Sequence, residues 1–316
     1  VLDAKECSGM DESGATTSTA PVTAIVNARS GRGHDAAWVH QLTEMFATHG
    51  IAVRVVLAAD GTAIADALQS AMKGKPGTLI AGGGDGTINS IATHLVDTDI
   101  RLGVLPLGTL NHFARDLKIP LALDQAVRTI VAAHTTRVDV GEVNGQVFLN
   151  NSSIGMYALM VQERDRERRS GLGKWPALIK ASWKILSVHR SRKMHLVVDG
   201  RALERRTPLV FVGNNAYVLS GFEIGERKQL DGGVLSLYIV PRDQRFNLVW
   251  LAIRSLFGHL HQDRDFQAMT AEDIVINAGR SHMHVATDGE VEELALPLHY
   301  RIRKRALCVI VPEKSS

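Results

Sequence analysis

The chain has 316 residues, enough for two domains, with an ordinary hydrophobic fraction of 45% and charged fraction of 22%. No window approaches the ~18–20 consecutive apolar residues of a spanning helix, so any dealings with lipid are expected at a surface. Lys and Arg outnumber Asp and Glu by only 36 to 33, which gives no case for nucleic acid. The two cysteines, Cys7 and Cys308, support neither a disulfide framework nor a zinc site and suit a reducing cytoplasm.

Residues 1–20 are rich in Ser, Thr, Gly and Asp and read as a flexible leader; beginning at Val1, the chain reads as a processed fragment. Regular patterning starts at Pro21. Val22 to Val26 predicts a strand that ends in the polar turn Asn27-Ala28-Arg29-Ser30-Gly31-Arg32-Gly33. Trp38, Leu42, Met45 and Phe46 then fall at helical spacing, Ile51 to Leu57 predicts a second strand, and Ile64, Leu68 and Met72 a second helix. Thr78 to Ala81 predicts a third strand running into Gly82-Gly83-Gly84-Asp85-Gly86-Thr87. Ile88, Ile91 and Leu95 follow at helical spacing, and Leu102 to Leu105 predicts a fourth strand. Strands and helices alternating at this rhythm predict a mainly parallel sheet, whose ligands bind beyond the carboxyl ends of the strands.

The glycine stretch lies at such an end. Glycines at a strand-to-helix junction let backbone N–H groups approach a phosphate, and the helix start behind them favours negative charge. A P-loop would need a Lys, which is absent, and the dinucleotide fingerprint would need glycine where Thr87 stands. Asp85 among the glycines would repel phosphates unless a divalent cation lay between, so the loop asks for a metal-bound nucleotide.

The fourth strand enters Pro106-Leu107-Gly108-Thr109-Leu110-Asn111-His112-Phe113-Ala114-Arg115. Gly82 to Asn89 together with Pro106 to Arg115 closely resembles the diacylglycerol kinase catalytic-domain family, which also holds sphingosine and ceramide kinases. Val26 to Gly31 is similar to its first nucleotide-side motif. The resemblance implies a nucleotide-binding α/β domain, a second mainly antiparallel β domain, and an active site in the cleft between them. It implies ATP as co-substrate with Mg²⁺, a lipid acceptor at a membrane surface, and a cytoplasmic protein peripheral to the inner face of the membrane.

Past a helix expected over Asp124 to Ala133, the pattern turns to antiparallel β. Asn144-Gly145 and Asp199-Gly200 are two-residue hairpin signals, the second placed between Met194 to Val198 and Pro208 to Val212. Further strands are expected at Val234 to Val240, Ile274 to Ile276, Met283 to Ala286 and Leu307 to Val311. The expected division is a leader over 1–20, a nucleotide-binding α/β domain over 21–134 and a β-rich lipid domain over 135–316.

Phosphorylating an alcohol needs a positioned hydroxyl, a proton acceptor and charge neutralisation on the phosphates. By pattern alone Asp288-Gly289 is a hairpin turn; the resemblance implies that Asp288-Gly289-Glu290 carries the acid/base function, leaving Glu290 and Asp288 both as candidates. The nucleotide cradle is Gly82, Gly83, Gly84, Gly86 and Thr87, with Asp85 on the Mg²⁺ side; Asn27, Ser30 and Gly31 flank the phosphates, and Thr109 matches a family position contacting ATP. Asn111 is expected to hold its turn together, and Arg32 to be solvated. The family's structural metal site would fall at Gly232, one residue from Asp231, the remaining candidate metal ligand. His112 stands where many members carry Asp.

Residues 162–188, with Arg168, Arg169, Trp175 and Trp183, suit either an anionic membrane surface or a solvated connection. Residues 247–260 read as a core-packing helix, and His282 and His284 as structural strand residues. The leading expectation is a kinase acting on diacylglycerol, a sphingoid base or a related lipid. The alternatives are a nucleotide-binding regulatory protein that has lost catalysis and a kinase of a soluble acceptor such as NAD.

Overall fold

The computed structural model describes residues 22–31, 33–155, 192–217, 227, 229–239 and 267–313. The expected leader over 1–20, Arg32, the stretch over 162–188 and the helix over 247–260 lie outside them. Contacts divide the chain into two units, the first running to Asp139 and resuming at Lys304, the second from Val140 to Arg303. Where the sequence suggests a boundary at 134/135 and a second domain reaching the C-terminus, the last residues count with the first unit.

In the first unit the strands are β1 (Val22–Asn27), β2 (Val53–Ala58), β3 (Thr78–Gly83) and β4 (Arg101–Pro106). The helices are α1 (Ala36–Ala47), α2 (Gly61–Lys73), α3 (Asp85–Ala92), α4 (His112–Asp116) and α5 (Leu123–Ala132). The sheet order is β2-β1-β3-β4, every pair parallel, as the alternating pattern predicts. Asp35 and Asp60 start α1 and α2 by accepting from Trp38 N (2.9 Å) and Ala63 N (3.0 Å). The helices then turn Leu42, Phe46, Ile64 and Leu68 inward. One core joins Val26, Ile80 and Leu105 of the strands to Phe46 of α1 and Ile130 of α5, each buried side chain contributing about 1.5–3 kcal/mol. The expected third helix ends at Ala92, and Leu95 belongs to a short 3₁₀ turn that prolongs it.

The second unit opens within β5 (Thr135–Val143), which turns at Asn144-Gly145 into β6 (Gln146–Phe148) and continues to β7 (Asn151–Gly155). Its later strands are β8 (Arg192–Val198), β9 (Arg201–Thr207), β10 (Leu209–Asn214), β11 (Leu235–Ile239), β12 (Gln267–Ala271), β13 (Asp273–Asn277), β14 (His282–Thr287) and β15 (Glu290–Ala295). Last comes β16 (Leu298–Ile310). An antiparallel sheet has the order β12-β11-β10-β7-β14-β15, and β13 pairs antiparallel with β8 and with the first residues of β16. Asn144-Gly145, Asp199-Gly200 and Asp288-Gly289 all have positive φ at both positions, the backbone that tight hairpins demand.

Three expectations change. The Asp199-Gly200 hairpin returns through β9, not through Pro208 to Val212, which belongs to β10. The sequence Arg201-Ala202-Leu203-Glu204-Arg205-Arg206-Thr207 hides that strand because most of it faces water. The strand expected at Leu307 to Val311 is the end of the thirteen-residue β16, whose earlier half carries Arg301, Arg303, Lys304 and Arg305. Cys308 is disulfide-bonded.

Candidate active site

In the first unit the three motif loops leave adjacent strands. Val26 of β1 pairs with Gly82, and Gly83 of β3 with Pro106 of β4, so the segments after Asn27, Gly83 and Pro106 emerge side by side. Leu107 N donates to Gly83 O at 3.0 Å. The glycines answer to steric contacts within this cluster. A Cβ on Gly83 would stand 2.6 Å from Thr87 Cβ, and one on Gly108 would stand 2.4 Å from Gly84 Cα. Thr87 therefore points inward, only 8% exposed, and Asn27 Nδ2 donates to its Oγ1 at 3.2 Å. Ser30 Oγ donates to Asn27 O at 2.7 Å, and Gly31 has a positive φ beneath Leu107 O.

Asp85 ties the second loop to the third, and Asn111 closes the third on itself. Phe113 N, at the start of α4, donates to Asp85 Oδ1 at 3.1 Å. Asn111 adopts the left-handed conformation; its Oδ1 accepts from Gly108 N at 2.9 Å, and its Nδ2 donates to Gly108 O and Pro106 O. Asn111 thus holds its turn, as expected. α3 starts at Gly84 with no side-chain cap, leaving its first N–H groups available at the positive end of the helix dipole. Thr109 is exposed beside these loops, and His112 is exposed as the first residue of α4.

The sequence pattern gives no sign of the Asp85 bond to α4. The Asn27–Thr87 bond, sixty positions apart, is equally invisible before the strands are paired.

In the second unit the two carboxylates of Asp288-Gly289-Glu290 separate. Asp288 accepts three backbone N–H bonds, from Leu149 (2.7 Å), Asn150 (2.9 Å) and Asn151 (2.9 Å). Burial raises its carboxyl to about 6, against the pull of those three donors and of Arg227. Arg227, only 2% exposed, donates to Leu149 O, Asn214 O and Asn150 Oδ1 and lies 5.5 Å from the centre of the Tyr217 ring. No motif points to Arg227; the partners that bury it are up to 78 positions away. Glu290 is exposed at the start of β15. Partial desolvation, then the like charge of Glu292, raises its carboxyl above the usual range.

A divalent cation suits the first unit only as a companion of a phosphate ligand. Asp85 has one oxygen committed to Phe113 N, and among the described residues no cluster of three or more His, Cys, Asp or Glu could hold an ion alone. In the second unit, Asp231 is exposed, whereas the site facing Asn215 Oδ1 is Gly232: a Cβ there would stand 2.9 Å from that buried, unpartnered oxygen. The residues present do not make a carboxylate metal site there.

Residues 21–143 match the family described as "Diacylglycerol kinase catalytic domain", and residues 156–311 match the "YegS C-terminal NAD kinase beta sandwich-like domain". Residues 21–143 thus carry a domain of the diacylglycerol kinase catalytic type. Curated proteins named "Diacylglycerol kinase" from Staphylococcus aureus strains JH9 and Newman are 32% identical over 168 residues, 52% of this chain and 52% of theirs. The chain thus matches about half the length of these family relatives. A crystal structure from Bacillus anthracis str. Sterne superposes with a TM-score of 0.72 at 24% identity, covering 92% of this chain and 97% of that one. Another from the same source, described as a diacylglycerol kinase, gives 0.66 at 22%, with the same coverage. These two likenesses show the fold alone.

Proposed function

We propose that this protein transfers the γ-phosphate of ATP to a hydroxyl of diacylglycerol or a related lipid such as a sphingoid base. The observation that carries this reading is the division of labour at the Asp288 turn: one carboxylate consumed in holding backbone, the next exposed and raised toward the range of a proton acceptor. The S. aureus relatives' name supplies the acceptor class.

The uncapped start of α3 and the Gly82 to Thr87 backbone receive the triphosphate, with Asn27, Ser30, Gly31 and Thr109 flanking it. Mg²⁺, when bound with the triphosphate, spreads charge on the phosphate oxygens, and Asp85 is the carboxylate available on that side. Glu290 takes the proton of the lipid hydroxyl as that oxygen bonds to the γ-phosphorus and the bond to ADP breaks. Asp288 positions the turn that presents Glu290. The protein works at a membrane surface, on its cytoplasmic face. A soluble acceptor such as NAD is the second reading, favoured by the NAD kinase-like description of the matched second domain.

The test is label transfer from γ-labelled ATP to a panel of diacylglycerol, sphingoid bases and NAD. Glu290→Gln is expected to lower transfer by about 10²–10⁴-fold while ATP affinity stays unchanged. Transfer undiminished in Glu290→Gln rejects the assigned base, and label on NAD alone rejects the lipid acceptor.

A further inference from the structure

A cavity of about 150 Å³ in the second unit is lined by Arg192, Arg280, His282, His284 and Glu293 around buried Met194. It lies at the beginning of β14, whereas the Asp288 turn closes that strand's other end. Glu293, the wall residue nearest that turn, is three residues along β15 from Glu290, so at roughly 3.4 Å each the cavity begins about 10 Å from the proposed base. The proposed transfer makes no use of it.

Its charge calls for a partner. Among the described residues neither Arg192 nor Arg280 forms an ion pair, although each guanidinium carries a permanent charge and five fixed donors. The single carboxylate on the wall, Glu293, stands opposite His284 in the β14–β15 ladder. The cavity is therefore cationic even with both imidazoles neutral. Burial, and secondarily the nearby Arg280, lower the proton affinity of Arg192 below that of an ordinary arginine. A folded protein holds two like charges together in a recess at a cost, and a dianion removes that cost.

We propose that this recess is a binding site for a phosphate group bearing at most a small polar substituent, held between the Arg192 and Arg280 guanidiniums. Phosphate is the anion whose several oxygens satisfy two guanidinium forks together, and the volume admits a phosphomonoester or a lipid headgroup but no acyl chain. The site is independent of the kinase reading: it requires neither ATP nor a lipid acceptor to be correct.

Calorimetry and thermal melting with inorganic phosphate, with glycerol 3-phosphate, and with phosphatidylcholine vesicles lacking or containing phosphatidylglycerol test it. The proteins compared are the full chain, the double variant Arg192→Gln/Arg280→Gln, Arg280→Lys, and Arg201→Gln, which changes an exposed β9 arginine outside the recess. Ligand is expected to raise the melting temperature of the unsubstituted protein, and the double variant to bind at least about tenfold more weakly. Arg280→Lys keeps the charge but not the fork and should fall between; Arg201→Gln should match the unsubstituted protein. Phosphate bound at the glycine loop survives in the double variant, so only the lost increment counts. Because the double variant removes a like-charge approach, its melting temperature without ligand should not fall. Loss of the free-phosphate response assigns a soluble phosphate ligand, and loss confined to the phosphatidylglycerol vesicles assigns a headgroup. Equal binding by the double variant and the unsubstituted protein, or no binding by the latter, overturns the proposal.

Discussion

At Asp288 the carboxylate does the work that a backbone carbonyl does elsewhere: it collects the N–H groups of Leu149, Asn150 and Asn151, which bend between β6 and β7. Asp288→Asn leaves one acceptor oxygen and turns an amide N–H₂ toward donors. The expected loss is about 1–3 kcal/mol, read from denaturant unfolding. Glu290 responds differently, because its raised carboxyl has two causes that can be separated. A proton acceptor works only when ionised, so transfer rises with pH through the Glu290 titration. Glu292, held by Gln146, contributes part of the upward shift. Glu292→Gln should therefore move the acidic limb of the kcat/KM profile to lower pH, leaving the part due to desolvation in place; an unmoved or raised limb contradicts the assignment of Glu290. The order Asp-Gly-Glu shows in the sequence, but which carboxylate is consumed by backbone depends on residues about 140 positions earlier. That is why the two candidates stay undivided until the strands are in place.

The glycine loops behave as one element. The Gly108 backbone rests on Gly84, Asp85 stitches the same two segments together, and Asn111 fixes the Gly108 turn. Gly108→Ala would drive a methyl group to 2.4 Å from Gly84 Cα, where only backbone can yield. Overpacking of this kind costs about 1–3 kcal/mol, and the displaced helix start should weaken ATP binding as measured by calorimetry. Strand-and-helix alternation in the first unit is legible in the sequence because its strands are buried on both faces and read as apolar runs: Ala24, Ile25 and Val26 of β1 and Leu79, Ile80 and Ala81 of β3 all have no exposure. β9 and the early half of β16 escape notice for the opposite reason. Their solvent-facing positions are arginines and lysines, which break the apolar signature without breaking the ladder. β7 is missed because its centre is Ser152-Ser153, and Ser152 lies 3.1 Å from the Tyr300 hydroxyl.

At the scale of the molecule, the chain leaves the first unit after Asp139 and comes back at Lys304. The returning residues are not a tail. Ala306 to Ile310 are at most 3% exposed, Val309 pairs with Leu102 of β4, and Asp97 N, Arg305 N and Val311 N bond to Ala306 O, Asp139 Oδ1 and His134 O. Leu307, Val309 and Ile310 at about 1.5–3 kcal/mol each approach a typical domain's entire stability. A chain ending at Arg303 keeps every glycine-loop residue and the Asp288 turn, yet is expected to lose cooperative unfolding of the first unit by circular dichroism.

One geometrical fact links the ends of that detour. Arg305 N sits 2.7 Å from Asp139 Oδ1, so the exit and the return of the polypeptide are neighbours. The β-rich unit is inserted like a parenthesis into the α/β one, and a short bridge could close the gap if it were cut out. The α/β half would then become a continuous, separable piece, and ancestors that lacked the β-rich half become stereochemically reasonable.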